Sequence, residues 1–375
     1  MRIALVHNFH SRATPSGEDE VVEAEASALT NAGHDVRVVG VHNDDVAARP
    51  LAAARAAVSM VTRVGISPVS DLAQFDPDVI HVHSLFPFID RRWLRRATAP
   101  IVMTAHSYRP MCANGFLFRD GEVCTLCLGG RSAPAVRYGC YRGRMGSLPY
   151  AIGNRGGANH DPLVRAARRV LVLSERARSV FLRAGVPDTK LRLDSHFIPD
   201  ALDPGAGTQP RHGWVFAGRL SAEKGIDRLV AEWPAHELLR IVGDGELRPS
   251  LGRAARGKHI EFLGSRSRGD VLAELATAFG LVMPSRWYET FGLVYIEALA
   301  AGVPTMAFSP NVVADAVQRD RTGDIAAWGD LARAIDLAHE RFDELRDHCR
   351  HVFEDQYTET AFTARRKAVY EECLS

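Results

Sequence analysis

Phe279-Gly-Leu-Val-Met283, then Pro284-Ser-Arg-Trp-Tyr-Glu-Thr-Phe-Gly-Leu-Val-Tyr-Ile-Glu297, then Ala298 to Ala301, is the stretch that decides how this chain folds. The short apolar run reads as a buried strand, the Pro- and Gly-bearing middle as a loop, and the Ala-rich end as a helix. Strand, loop and helix start in that order make an anion site. The amides of Thr290, Phe291, Gly292 and Leu293 are orphan donors with the positive end of the helix dipole behind them. Gly292 has no Cβ, so a ligand can approach the backbone closely. Glu289 stands at the helix mouth and Glu297 further inside, both able to accept hydrogen bonds from hydroxyl groups. A pyrophosphate held by amides and flanked by carboxylates describes a nucleotide-sugar site better than a hydrolase.

The chain has 375 residues, too many for one ordinary core and comfortable for two domains. Its formal net charge is +1, from 46 basic and 45 acidic residues, which argues against nucleic acid as a partner. The Arg- and Ala-rich composition suggests a G+C-rich bacterial genome. No apolar run approaches a membrane span, and Met1 to Val6 reads as a strand start rather than a signal peptide, so a cytoplasmic protein is expected. Six cysteines in such a chain point to thiols or metal before disulfides.

Outward from the opening stretch, strand and helix patterns alternate. Strands are expected at Arg2 to His7, Asp35 to Gly40, Asp78 to His83, Pro100 to Ala105 and Arg169 to Leu173, with a helix from Gly17 to Ala32 ended by Gly33. A Pro/Gly-rich break at Phe197 to Gly205 reads as a linker, after which strands are expected at Trp214 to Ala217, Leu238 to Val242, His259 to Leu263, Leu281 to Met283 and Thr305 to Phe308. Such repetition builds α/β domains with doubly wound parallel sheets and ligands at the carboxyl ends of the strands. The expected organisation is an N-terminal domain over 1–198 and a C-terminal one over 199–349, facing each other across a cleft, with a helix over 350–375 a candidate to pack back on the first. Residues 108–148 break the alternation and read as an inserted, Cys-rich module.

A second strand–turn–helix junction, Phe216-Ala-Gly218-Arg219-Leu-Ser-Ala-Glu-Lys224-Gly225, carries two cations suited to a diphosphate. Alone, it reads more readily as an exposed basic turn; beside the Thr290 helix start, the functional reading is stronger. Gly243 lies in a third turn, Gly243-Asp-Gly-Glu246, a weak signal by itself. Gly17 stands at the mouth of the first long helix, where ligand approach and ordinary capping weigh equally. His106 follows an expected strand, so it belongs at the carboxyl edge of the sheet, where a histidine can hydrogen-bond or carry charge. His83 and His7 occupy comparable places with weaker support.

Taken together, Gly218-Arg219 with Lys224-Gly225, the Gly243 turn, and Glu289 with Glu297 in Glu-Thr-Phe-Gly-Leu-Val-Tyr-Ile-Glu resemble the retaining glycosyltransferases of family 4, which have the GT-B fold of two Rossmann-like domains. The resemblance runs in order from Arg2 to about Leu337. It implies a nucleoside-diphosphate-sugar donor and an acceptor left unidentified. It assigns the donor diphosphate to Arg219, Lys224 and the amides of Thr290 to Leu293, the ribose to Glu297, the donor sugar to Glu289, the sugar near its reacting end to His106, and the base to the region from Leu263 to Arg266. It also implies that catalysis needs no divalent metal, since cations and helix dipole stabilise the departing diphosphate. Two positions depart from the pattern. Ser16 replaces the first of paired glycines, and Ser309 to Asp315 lacks the usual glycines and glutamate.

Cys112, Cys124, Cys127 and Cys140 contain one Cys-x-x-Cys pair and fit a tetrahedral zinc, with an iron–sulfur cluster, disulfides or free thiols as alternatives. Asn114-Gly115 and Asp120-Gly121 supply turns for a small hairpin before the pair. Arg91 to Arg96 is a concentrated basic run, either a peripheral contact with anionic lipid or a solvated helix face. The rival activities are a GT-B nucleotide-sugar epimerase or hydrolase acting without an acceptor, and a non-catalytic sensor. A dinucleotide oxidoreductase is disfavoured because His7-Asn-Phe-His10 offers no Gly-x-Gly-x-x-Gly turn.

Overall fold

A computed structural model of the chain describes residues 1–12, 16–48, 51–200 and 211–375. Pro15 and the linker residues Ala201 to Gly205 lie outside the described residues. The chain divides into two compact units. The first comprises Met1–Leu117, Cys124–His196 and Phe362–Ser375, the second Phe118–Val123 and Phe197–Ala361.

In the first unit, β1 (Arg2–Phe9), β2 (Asp35–His42), β3 (Val79–Ser84) and β4 (Ile101–Thr104) form a wholly parallel sheet with two later strands. The segment Phe118–Val123, which belongs to the second unit, is a short antiparallel pair, β5 (Phe118–Arg119) with β6 (Glu122–Val123), that turns at Asp120 and Gly121, both at positive φ as a type I′ turn requires. β7 (Arg169–Val172) and β8 (Leu191–Leu193) complete the six-stranded order β2-β1-β3-β4-β7-β8. β1, β3 and β4 are almost wholly buried, as near-continuous apolar strands of a sheet covered on both faces must be.

The second unit repeats the plan with β9 (Trp214–Ala217), β10 (Leu239–Val242), β11 (Ile260–Gly264), β12 (Gly280–Met283), β13 (Thr305–Phe308) and β14 (Gly323–Ala326). All are parallel, in the order β11-β10-β9-β12-β13-β14. Its first three strands run outward one way and its last three the other, so the strand order reverses between β9 and β12. A ligand crevice belongs at the carboxyl ends of those two strands. Two apolar clusters flank this sheet, one around Ile296, Leu299 and Phe353, the other around Trp214, Trp233 and Phe342.

The parallel α/β architecture agrees with the reading of the sequence, and the long strands fall within one or two residues of it. β8 and β14 were not anticipated, because both are edge strands, only partly buried, and lack a continuous apolar run. The inserted module is more regular than its composition suggests, holding helix Ala133–Arg137 and the first part of helix Gly143–Gly153, which runs past the expected end at 148. The C-terminal region forms helices Leu331–Gln356 and Glu359–Leu374. Among the described residues, no helix is long and apolar enough to cross a membrane.

Candidate functional site

In the second unit, the chain leaves β9 through Gly218, makes a single 3-10 turn at Ala222–Lys224 and enters helix Ile226–Glu232 through Gly225. Gly225 has φ +69°, and a Cβ there would stand 2.1 Å from the carbonyl oxygen of Pro284. Only glycine lets this turn lie directly against the loop after β12. The approach brings Lys224 Nζ into an ion pair with Glu289 Oε1. Glu289 also accepts hydrogen bonds from Ser285 Oγ (2.7 Å) and Trp287 Nε1 (3.3 Å) and is only 3% exposed. Burial pushes its pKa up, but the Lys224 charge and these donors outweigh that and hold the carboxyl below its ordinary value. Glu289 is therefore an ionised, oriented acceptor.

Gly292 precedes helix Leu293–Ala300 at φ +112°, and no side chain caps that helix. A Cβ on Gly292 would lie 3.4 Å from Glu289 Oε2, so the carboxylate sits beside the helix mouth formed by Thr290, Phe291, Gly292 and Leu293. Further along, Glu297 is buried and its Oε1 lies 3.1 Å from Arg268 Nε. Arg266, two residues earlier, is exposed.

Gly218 and Gly243 contribute room rather than donors. The Gly218 amide is used on the Val242 carbonyl (3.0 Å) and the Gly243 amide on the Gly264 carbonyl (2.8 Å). Arg219 extends with 60% of its side chain exposed, 3.9 Å from Glu223.

Three supporting residues escaped the sequence reading. Arg268 starts a helix behind a Ser267/Asp270 capping box, whose Ser-x-x-Asp spacing was legible although the Arg268 partner was not. Arg286 donates twice to the Ala222 carbonyl, tying the loop after β12 to the turn after β9. Asn311 caps helix Val312–Asp320 and donates to the carbonyls of Ser285 (3.0 Å) and Phe308 (2.7 Å). Without the glycines of the usual pattern, Ser309 to Asp315 thus still serves the loop that carries Glu289.

In the first unit, His106 follows β4 and its Nε2 lies 2.9 Å from Nδ1 of His83, at the end of β3. The His106 ring stacks on His83 (5.2 Å between centroids) and on His196 (5.1 Å). Burial first, then neighbouring imidazoles, pushes the pKa of His106 well below its ordinary value, and His83 likewise. An open cleft is lined by Glu18, His83, His106, Arg109, Tyr150 and Asn154. Four of these, His106, Arg109, Tyr150 and Asn154, lie in or beside the inserted module.

Gly17 opens helix Gly17–Asn31 behind a complete capping box of Ser16 and Asp19. Asp19 also binds His7 Nε2 at 2.9 Å and the His10 amide at 3.2 Å. Burial pushes Asp19 up, but His10, His7 and the backbone donors hold it well below the carboxylate range. The capping reading of Gly17 is therefore satisfied by side chains of this chain.

Cys112, Cys124 and Cys140 lie near enough to Cys127 for their charges to act on it, but no three of the four sulfurs lie within 4.8 Å of one another. Burial first, then the charges of the other three thiols, pushes Cys127 up to about 11. Among the described residues, the ligand atoms of Glu25, His81 and His83 are the set of three that lie within 4.8 Å of one another. Arg366 already supplies the cation there, with Nε 3.3 Å from Glu25. In the basic run, Trp93–Arg95 makes only a 3-10 turn, Arg91 donates to the carbonyls of Ser59 and Met60, and Arg92 pairs with Asp90.

Comparison with known proteins matches residues 15–199 to the model described as Glycosyltransferase Family 4 and residues 211–340 to Glycosyl transferases group 1. Glycogen synthase of Mycobacterium tuberculosis is 34% identical over 148 residues, 36% of this chain and 36% of that protein. A GDP-mannose-dependent phosphatidylinositol dimannoside mannosyltransferase of the same species is 33% identical over 112 residues, 28% of this chain and 29% of its own length. The chain spans about a third of the length of these relatives. Anabaena HepE, solved in complex with UDP, superposes with a TM-score of 0.62 at 15% identity, covering 99% of this chain and 100% of that one. With two parallel Rossmann-like sheets, and both halves matching models of one enzyme group, the chain belongs to the family 4 glycosyltransferases of GT-B fold.

Proposed function

We propose that this protein is a retaining glycosyltransferase that moves a hexose from a nucleoside-diphosphate sugar to an acceptor hydroxyl. The observation that carries this reading is the buried, ionised Glu289, oriented by Lys224, Ser285 and Trp287 beside the uncapped helix start at Gly292. Family membership supports the reaction class. The UDP bound by HepE and the GDP-mannose named for the mannosyltransferase support a nucleotide-sugar donor.

In this reading, Lys224, Arg219 and the helix amides hold the diphosphate, Glu297 the ribose with Arg268 fixing its carboxylate, Glu289 the sugar hydroxyls, and His106 the sugar near its reacting carbon. The acceptor oxygen bonds to the anomeric carbon on the face the diphosphate leaves. The bond from that carbon to the phosphate oxygen breaks, and the acceptor proton passes to the departing phosphate. Preorganised cations and dipoles do the electrostatic work, so catalysis requires no divalent metal. The acceptor is a glycan, a lipid-linked sugar or a small molecule, and the first unit is its site. Six free cysteines fit a reducing cytosol. Cys112, Cys124, Cys127 and Cys140 are proposed to bind a structural zinc, and elemental analysis of purified protein finding neither zinc nor iron would end that part of the reading.

The test is thermal stabilisation by UDP-, GDP- and ADP-sugars, followed by NMR of the product anomer formed from the best donor. A shift with one donor and a product of unchanged anomeric configuration is expected. No shift with any nucleotide sugar overturns the reading, and turnover to an epimer or free sugar alone favours the acceptor-independent alternative.

A further inference from the structure

Helices Ala52–Thr62 and Gly143–Gly153 of the first unit pack so closely that a Cβ on Gly153 would lie 1.9 Å from the Met60 carbonyl oxygen. Their inner faces join one apolar cluster through Ala56, Met60 and Tyr150. Their outer faces are apolar too. On the first helix and its flanks, Leu51 is 77% exposed and Val58 54%, and on the second Met145 is 82% exposed. Leu148 and Ile152 are also exposed, and the spacing Met145, Leu148, Ile152 follows a single helical stripe, with Arg155 in the turn just beyond the helix.

The charge of these segments is one-sided. Val46 to Ser70 contains no Asp or Glu, and neither does Val123 to His160, although the second run holds five arginines. All five of these (Arg131, Arg137, Arg142, Arg144, Arg155) are exposed, as is Arg55 on the partner helix. In a chain of net charge +1, such acid-free runs place the balancing carboxylates elsewhere.

We propose that the outer faces of helices Ala52–Thr62 and Gly143–Gly153 form a docking surface for an anionic lipid bilayer. Apolar side chains ringed by arginines on neighbouring amphipathic helices suit the boundary between acyl chains and anionic headgroups. A second copy of the chain fits poorly, because a two-fold contact would set arginines against arginines with no carboxylates between them. Nucleic acid fits poorly as well, since the centre of the surface is aliphatic. This site differs from the Arg91 to Arg96 run, whose first two arginines are engaged within the fold.

The experiment is co-sedimentation of the full chain with vesicles of phosphatidylcholine alone and of phosphatidylcholine with phosphatidylglycerol. Binding is expected only to the anionic vesicles, weakening as salt rises. M145E/L148E is expected to lower the bound fraction at least tenfold without changing the melting temperature, R144E/R155E to do the same, and R92E/R95E/R96E to change it less than twofold. The second variant decides the matter should the first fail to fold. Absence of binding to anionic vesicles overturns the proposal, as does wild-type binding by both helix variants. Self-association that M145E/L148E abolishes, without vesicle binding, would assign the surface to a second copy instead.

Discussion

His83 Nδ1 lies 2.9 Å from His106 Nε2, and on its other side His83 Nε2 stands 3.8 Å from the buried carboxylate of Glu25. The carboxylate favours the His83 proton on Nε2, which leaves Nδ1 to accept from His106 and fixes the plane of that ring. His83→Phe should therefore reduce kcat by about tenfold while leaving donor KM within about twofold, since a positioning group alters the reacting geometry more than ground-state binding. Steady-state kinetics decides it; a rise in KM alone would contradict the positioning role.

The two glutamates of the donor unit should separate kinetically. Glu297→Ala and Arg268→Ala should each weaken nucleotide affinity by about tenfold, the loss expected for one charge-assisted contact. Glu289→Ala should mainly slow turnover, by about 100-fold. Calorimetric titration with the nucleotide alone, beside turnover measurements, tests the assignment, which equal losses of affinity in all three would refute.

Stability should fall on acidification. His81, His83, His106 and His196 all have pKa values pushed down by burial, His196 to about 3. Each stays neutral in the folded chain at pH values where the unfolded chain takes up a proton. The unfolded state therefore binds more protons below its histidine pKa, and stability is lost as pH drops through about 6.5. The expected loss is about 1 kcal/mol per histidine per pH unit below that point. Urea midpoints at pH 7.5, 6.5 and 5.5 measure it, and a flat profile would show that these imidazoles are not held neutral.

Arg366 is fully buried between Glu25 (3.3 Å) and Asp194 (3.5 Å). Arg366→Leu leaves Glu25 without its buried cation and Asp194 with Arg365 alone, and should cost about 3–5 kcal/mol. Combining it with Glu25→Gln should recover part of that loss, a non-additivity that urea denaturation of the single and double variants would reveal.

Gly225→Ala should destabilise the donor unit by about 3 kcal/mol, because it adds a left-handed backbone cost to a collision with the Pro284 carbonyl. Thermal melting with and without the best nucleotide sugar checks this, and loss of donor stabilisation should accompany the lower midpoint.

The donor loop was legible because its signals are local. Proline and glycine at fixed offsets around Glu289, between an apolar run and an Ala-rich run, prescribe strand, loop and helix wherever the segment lies. His106 could be placed at a strand end for the same reason. Arg268 was not legible as the partner of Glu297, nor Asn311 as the brace of the Ser285 carbonyl. Each pairing depends on which strands become neighbours, and one arginine or asparagine looks like another on a surface. The capping box at Ser16 and Asp19 was half visible: its spacing is local, but the His10 and His7 contacts that hold Asp19 well below the carboxylate range are set by the sheet.

The sequence by itself determined the alternation of strands and helices, the two-sheet plan and the places where the chain turns at the carboxyl ends of its strands, because periodicity and turn chemistry act over a few residues. Only the tertiary structure decided that Lys224 meets Glu289 across 65 residues and that Tyr370 reaches Glu25 across 345, putting a C-terminal helix over buried histidines of the first sheet. Contacts so far apart in the chain are fixed by strand order and close backbone packing, which leave no mark at any single position.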